Sequence, residues 1–447
     1  MKDLFDKYYT DLFLDKRLFA GLGLCVSLFL FTFFLPWLGD LPYICFGVLV
    51  LLIFIDLGLL FRGKGVFLRR DLPERLSNGD ENELHIYVEN FFGFPVTIGI
   101  IDEIPFQFQK RDLWFKSNLK TREQQTITYK LRPTKRGEYV FGQTRLYVRS
   151  PIGLLSRRFN FGKEHTIPVY PSFLQLRKYE LLAISNRLTE IGIKKIRRIG
   201  HSMEFDQVKT YVQGDDYRTV NWKATARKGE LMVNSFVDEK AQHIYCIIDK
   251  SRTMKMPFEG LSLMDYAINA SLVLSNVALL KDDKAGLITL SEKIGSIVPA
   301  DRRPGQLGKI MEVLYKEKTQ YLESNIESLN LAVRRVIKQR SLLVFFTNYE
   351  SMSALHRQLP FLKHIAKFHL LLIVFFENTE VKSMSETPAQ DVEGIYIKTI
   401  AEKFVYEKRL MVKELSKHGI LCMLTAPDKL TINVVNRYLA IKAQQKI

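Results

Sequence analysis

Two apolar runs of bilayer length, set two residues apart, restrict this chain more than any other feature. Residues 18–38 carry no charged side chain, and residues 41–61 carry only Asp56. Each has roughly the ~20 residues a helix needs to cross a bilayer. Gly39 and Asp40 alone part them, with Pro36 and Pro42 flanking the turn, so the pair predicts a helical hairpin with both ends on one side. Lys16 and Arg17 precede the hairpin and Arg62, Lys64, Arg69 and Arg70 follow it, whereas the tight loop has no basic residue. The positive-inside bias therefore places both ends in the cytoplasm. A cleaved leader fits badly: four aspartates precede the first run, no small-residue cleavage site is evident, and a second span follows. Asp56 sits near the cytoplasmic end of its run. It reads either as a hydrated carboxylate at the interface or as a proton- or ion-handling group.

From 65 to 170 the hydrophobic period becomes 2. Leu84, Ile86 and Val88 alternate with Glu83, His85, Tyr87 and Glu89, and the alternation returns at Val96-Ile98-Ile100, Ile127-Tyr129-Leu131 and Leu146-Val148. Turn signals at Asn78-Gly79, Asn90, Arg136-Gly137 and Ser150-Pro151 separate the runs. Short half-buried strands at this spacing predict an antiparallel β-sandwich of immunoglobulin-like type, a module that binds or spaces.

Between 236 and 447 the texture is α/β. Compact apolar runs at 244–248, 285–290, 341–346, 370–376 and 420–424 read as buried strands. Residues 267–280 are apolar nearly all round, and Leu307, Ile310, Met311 and Leu314 form an amphipathic stripe. A closing helix is expected over 434–445, and 384–390 reads as an exposed loop. Such alternation predicts a mainly parallel, Rossmann-type sheet covered on both faces. The expected domains are thus 1–64, 65–170, a linker over 171–235, and 236–447.

Composition narrows the partners. The chain has 47% hydrophobic and 25% charged residues, ordinary for a folded protein. Lys+Arg 65 against Asp+Glu 48 gives +17, which suits an anionic membrane surface or an acidic partner. The densest basic run, Lys194, Lys195, Arg197 and Arg198, comes with no nucleic-acid fold motif, so no nucleic-acid role is expected. Cys25, Cys45, Cys246 and Cys422 show neither close pairing nor metal-ligand spacing, which argues against a disulfide framework.

One stretch in the linker, residues 200–227, obeys neither period. It holds Glu204, Tyr211, Gly214, Asp215, Asp216, Arg218, Asn221, Trp222 and Arg227. Gly214-Asp215-Asp216 reads as a turn, across which the carboxylates can pair with Arg218 or Arg227, Trp222 serving as packing anchor or arginine platform. This stretch resembles the signature of the domain of unknown function 58 family, bacterial membrane proteins similar to von Willebrand factor A domains. Residues 136–139 and 150–154 resemble the segment preceding that signature. Lys209 departs from the family pattern, where Arg is expected. The stretch reads either as a brace between domains or as a partner-contacting surface.

Asp249-Lys250-Ser251-Arg252-Thr253 leaves the first α/β strand at its carboxyl end, where doubly wound sheets bind ligands. An Asp with hydroxyls two and four residues on offers hard oxygen ligands for Mg²⁺. The run resembles the metal-ion-dependent adhesion site of von Willebrand factor A domains, with Thr253 in place of a serine. That resemblance implies further ligands at Ser324 and Asn348, the latter standing where an aspartate is usual. Lys250, Arg252 and Lys255 oppose a cation, and the alternative is an Asp that only caps its turn.

Phosphate-loop, zinc-protease and nucleophile-elbow motifs are absent from the sequence. The family resemblance implies a non-enzymatic adaptor at the bacterial cytoplasmic membrane that works with a MoxR-type AAA+ ATPase in assembling or activating other complexes. A metal-free envelope scaffold and a hydrolase using Glu204, Asp215 and Asp216 are the rival readings.

Overall fold

The computed structural model describes residues 10–444 apart from 35–36, 38, 63–64, 111–112, 175, 177–202, 214, 216, 239–240, 320–321 and 390. The chain divides into two compact units, 1–170 and 171–447. The hairpin therefore packs with the β-rich part inside the first unit, and the expected linker belongs to the second.

In the first unit, β1 (Leu12–Leu14) leads into α1 (Lys16–Phe34), and α2 (Leu41–Phe61) follows; residues 35, 36 and 38 of the first expected span lie outside the described residues. α2 is long and apolar enough to cross a bilayer, and most of its surface faces outward. Strands β2 (Val66–Asp71), β3 (Leu76–Ser77), β4 (Asn82–Asn90), β5 (Val96–Asp102), β6 (Trp114–Leu119) and β7 (Gln124–Leu131) come next. They are followed by β8 (Gly137–Phe141), β9 (Thr144–Arg149), β10 (Leu155–Phe161) and β11 (His165–Tyr170). They form a five-stranded sheet in the order β1-β10-β9-β5-β6 and two three-stranded sheets, β2-β4-β7 and β3-β11-β8. Pairing is antiparallel except between β11 and β3. Period 2 does its expected work in β4, where Leu84, Ile86 and Val88 are buried in the core.

The hairpin is clipped to this β-rich part at both of its ends. β1 pairs antiparallel with β10, and Asp15 N donates to Leu154 O (3.0 Å). Arg17 Nη1 donates to Ile152 O (3.0 Å). It lies so close to Gly153 (φ 69°) that a Cβ there would meet it at 2.9 Å, so that position favours glycine. At the other end, Arg157 donates to Leu60 O (3.0 Å) and stacks over Phe61 (4.1 Å to the ring centroid), satisfying a terminal carbonyl of α2.

Asp56 completes the clip. Its side chain is fully buried; Ser150 Oγ donates to Oδ1, and Leu154 N (2.9 Å) and Leu155 N (2.8 Å) donate to Oδ2. The expectation of a hydrated interfacial carboxylate is thus corrected: sequence-distant loop donors replace water.

The second unit begins with β12 (Met203–Thr210) and β13 (Met232–Asp238), an antiparallel pair that encloses α3 (Trp222–Lys228). β14 (His243–Asp249) and the small hairpin β15 (Pro257–Phe258) and β16 (Leu261–Ser262) precede α4 (Leu263–Leu280). Then come β17 (Lys284–Leu290), β18 (Ile294–Asp301), α5 (Gln306–Lys316), α6 (Ile326–Val336), β19 (Leu342–Phe346) and α7 (Met352–Phe368). β20 (Leu370–Phe376), α8 (Thr379–Glu386), α9 (Val392–Lys417), β21 (Leu421–Thr425) and α10 (Leu430–Ala443) complete it. The main sheet runs β18-β17-β14-β19-β20-β21, parallel except for edge strand β18. Ile244, Cys246 and Ile248 face a core with α4 and α10, while Tyr245 and Ile247 face one with α6, α7 and the end of α9. α4 has membrane-span length and apolarity but is mostly buried between these layers. The expected loop at 384–390 is corrected in part, because Thr379–Glu386 is helical and Asn378 caps it through Val381 N (3.1 Å).

Candidate functional site

β14 carries Asp249 to the carboxyl edge of the sheet, and three loops converge there. Asp249 is fully buried. Ser251 N donates to Oδ1 (2.8 Å), while Ser324 Oγ and Thr347 Oγ1 each donate to Oδ2 (2.7 Å). Ser251 Oγ lies 2.9 Å from Thr253 Oγ1. Burial pushes the Asp249 carboxyl above its ordinary value, and the hydrogen bonds from Ser324, Ser251 and Thr347 pull the other way. Among the described residues no cationic side chain reaches ion-pair distance of Asp249.

The basic neighbours that the sequence sets against a cation are directed elsewhere. Lys250 Nζ pairs with Glu317 (2.8 Å), which also accepts from Thr289 (2.8 Å). Burial alone would raise the Glu317 carboxyl, but those bonds outweigh it and hold it below the usual range. The Arg252 guanidinium lies 3.6 Å from Glu323 and 3.5 Å from Glu350.

Of the five sequence-derived ligands, Asp249, Ser251, Thr253 and Ser324 come together and Asn348 does not. Asn348 Oδ1 accepts from Lys408 Nζ, which also donates to Tyr349 O (2.5 Å). Burial lowers the Lys408 ammonium to about 8, with Glu350 opposing the shift. Thr347 joins the set unforeseen; it directly follows the apolar run 342–346, so its place at a strand end was the available signal. One carboxylate with four nearby hydroxyls fits a hard divalent cation in donor type and in uncompensated negative charge. Ser324 and Thr347 retain oxygen lone pairs for such an ion after donating to Asp249, and Ser251 and Thr253, which share one hydrogen bond, have lone pairs left as well.

The signature stretch is a separate feature. Lys209 Nζ donates to Asp215 Oδ1 (2.9 Å) and Val212 N to Oδ2 (3.1 Å). The Lys209 bond holds Asp215 below the usual carboxylate range. The expected pairing of Asp215 with Arg218 or Arg227 is therefore corrected: the residue that departs from the family pattern takes it. Asn221 caps α3 by accepting from Ala224 N (3.0 Å) and donates to Asn234 Oδ1 (2.9 Å), tying the helix to β13. Trp222 is 72% exposed, so it is no packing anchor within this unit. Arg218 stands over Tyr217, not Trp222 (5.8 Å to the centroid). Tyr211 N donates to Leu231 O (2.7 Å) at the base of the hairpin, and Arg227 lies in the last turn of α3. Gly214, Asp216, His201, the basic run 194–198 and the Glu204 side chain lie outside the described residues.

Residues 207–375, from this hairpin through β20, match the family model described as protein of unknown function DUF58. The likeness to DUF58 thus covers this stretch of the second unit. The uncharacterized protein YeaD of Bacillus subtilis (strain 168) is 28% identical over 139 residues, 31% of this chain. The match spans 32% of that relative's length, about a third. Among solved structures, conserved hypothetical protein BatB from Bacteroides thetaiotaomicron aligns with 46% of this chain and 100% of its own, at 15% identity and TM-score 0.30. PapD-like domain 7 of human CEP192 aligns with 24% of this chain and 86% of its own, at 13% identity and TM-score 0.19.

Proposed function

We propose that the protein is a non-enzymatic adaptor held at the bacterial cytoplasmic membrane by its N-terminal hairpin, with both soluble parts facing the cytoplasm. Its α/β domain is of von Willebrand factor A type and docks protein partners at the carboxyl edge of the main sheet. A MoxR-type AAA+ ATPase is the partner that the family resemblance implies, in assembly or activation of another complex.

The Asp249 cluster carries this reading: a buried carboxylate meets a backbone amide from one loop and hydroxyls from two others where sheets of this kind take ligands. Asp249, Ser251, Thr253, Ser324 and Thr347 are the residues that would hold Mg²⁺, which supplies a positive centre for a partner carboxylate when bound. The hydroxyls position such an ion, and the paired Lys250 and Arg252 leave its charge unopposed. A metal-free scaffold remains the second reading, favoured by the fact that both Asp249 oxygens already accept hydrogen bonds. The hydrolase reading draws on Glu204, Asp215 and Asp216, of which Asp215 is engaged by Lys209 and the Val212 amide.

The test is a gentle-detergent pull-down of the full chain with Mg²⁺ and ATP, comparing wild type with Asp249→Ala by mass spectrometry. Recovery of an AAA+ ATPase by wild type and its loss in the variant is the expected result. Equal recovery removes the cation from the reading, and recovery with neither protein moves the conclusion to the scaffold.

A further inference from the structure

A cavity of about 300 Å³ opens beside the Asp249 cluster, at the same edge of the sheet. Its walls are apolar: Met256, Phe258, Phe376, Val381, Phe404 and Leu424 contribute, from the segment after β14, the ends of β20 and β21, and α8 and α9. The Lys408 ammonium is set among them. The half-buried Lys408 uses two of its three N–H donors on Asn348 Oδ1 and Tyr349 O. Tyr349, 4% exposed, also lines the cavity, and its hydroxyl has no hydrogen-bond partner among the described residues. An apolar hollow with a few convergent polar groups has the make-up of a binding pocket rather than of a packing defect.

Two further observations say what fits. The lining includes three carboxylates, Glu350, Glu377 and Glu380, on a chain whose net charge is +17. Glu350 reaches Arg252 only at 3.5 Å and Glu377 reaches Lys382 at 3.3 Å, while Glu380 makes no ion pair among the described residues. Phe404 is also the last member of an apolar stripe along α9, where Ile395, Tyr396 and Ile400 are each more than half exposed. A small solute has no use for that stripe; a polypeptide does.

Building on the adaptor reading above, we infer that this cavity takes a partner-protein segment with one bulky apolar side chain flanked by lysine or arginine. The apolar side chain fills the hollow, the flanking cations meet Glu350, Glu377 and Glu380, and a backbone carbonyl of the segment accepts the third Lys408 N–H. The neighbouring turns of the segment lie along Ile395, Tyr396 and Ile400. The lowered Lys408 ammonium is consistent with a donor kept out of bulk water until a ligand oxygen arrives.

The experiment is selection from a random-peptide display library on the full chain in lipid nanodiscs, followed by fluorescence-anisotropy titration of the enriched peptides. Val405→Trp fills the hollow, and Glu380→Lys reverses an exposed charge without touching the core; thermal melts check that both fold. The expected result is enrichment of an aromatic or leucine residue flanked by Lys or Arg, with affinity weakened about tenfold or more in both variants. Four outcomes overturn the inference: no enrichment, enrichment of acidic flanks, binding indifferent to both variants, or a co-purifying apolar small molecule. A wild-type dimer dissolved by Val405→Trp also overturns it, by assigning the cavity to a second copy. Running Val405→Trp through the pull-down separates this inference from the adaptor reading. Undiminished ATPase recovery overturns the cavity alone. Empty pull-downs beside variant-sensitive peptide binding overturn the adaptor alone and sustain the cavity.

Discussion

Asp56 in the first unit and Asp249 in the second are both fully buried carboxylates that accept a serine hydroxyl and a backbone amide. What differs is the origin and kind of the remaining donors. Asp56 is held by Ser150 and two adjacent amides, Leu154 N and Leu155 N, all from one loop. Asp249 is held by Ser251 N and by hydroxyls from two distant loops, Ser324 and Thr347. An amide N–H donates and can do nothing else, so the Asp56 cage cannot coordinate a cation. A hydroxyl donates but keeps lone pairs, and it can turn to present them. The first arrangement is a clip and the second can be a site. Burial of an acidic side chain does not by itself tell the two apart.

That contrast can be broken or sharpened by substitution, and the largest effect belongs to the clip. Asp56→Ala strands two buried amides and a hydroxyl, and is expected to cost about 3–5 kcal/mol of stability. Thermal unfolding of the first unit within the full chain measures it, and an unchanged midpoint would dissolve the clip.

Lys408 comes next. Its folded value of about 8 lies below the ordinary 10.5, so between those values the unfolded chain binds more protons and stability rises with pH. The rise is worth at most about 3 kcal/mol, and Lys408→Met is expected to flatten it in urea titrations at pH 8 and pH 10.5.

Asp249→Ala is expected to cost only about 1–2 kcal/mol, because its hydroxyl partners can rotate and a buried charge is removed. The pH profile of Asp249→Asn gives the sharper test. Burial raises the folded Asp249 carboxyl above its unfolded 3.8, so its contribution is full below 3.8 and is lost as pH rises through the folded value. The asparagine variant should therefore gain on wild type as pH climbs from 4 to 8; a flat difference would contradict the raised carboxyl.

Mg²⁺ at about ten times its dissociation constant should stabilise wild type by ~1.4 kcal/mol. Thr347→Val should abolish that gain in calorimetry, whereas Ser150→Ala should leave it intact. The smallest effect is expected at the hairpin, where Lys209→Arg restores the family pattern, keeps the Asp215 pair and should leave the melting temperature unchanged.

Much of this organisation was legible beforehand where local periodicity decides it. The second span coincides with α2, and the alternation at 84–88 gives β4. The five apolar runs after 243 give β14, β17, β19, β20 and β21, because a strand buried on both faces has no polar positions to blur the signal. The edge strand β18 and helices α6, α7 and α9 escaped. α7 carries Pro360 inside it and α9 leaves much of its apolar surface exposed, so neither writes a clean stripe.

At the site, Asp249, Ser251 and Thr253 were singled out by their spacing, and they lie together because residues two and four apart share one turn. Ser324 was placed through the resemblance alone. Thr347 and Lys408 were not singled out, and Asn348 turns to Lys408, because these positions meet only when the end of β14, the segment after β19 and helix α9 come together. The same holds for Asp56: the sequence put a carboxylate at the end of an apolar helix, but its cage comes from residues 94 to 99 positions away. Sequence alone determined which segments are apolar, where they turn and which side chains carry charge, since those follow from neighbours along the chain. Only the tertiary structure decided which charges are paired, which are caged and which stay open, because those depend on donors that folding brings together.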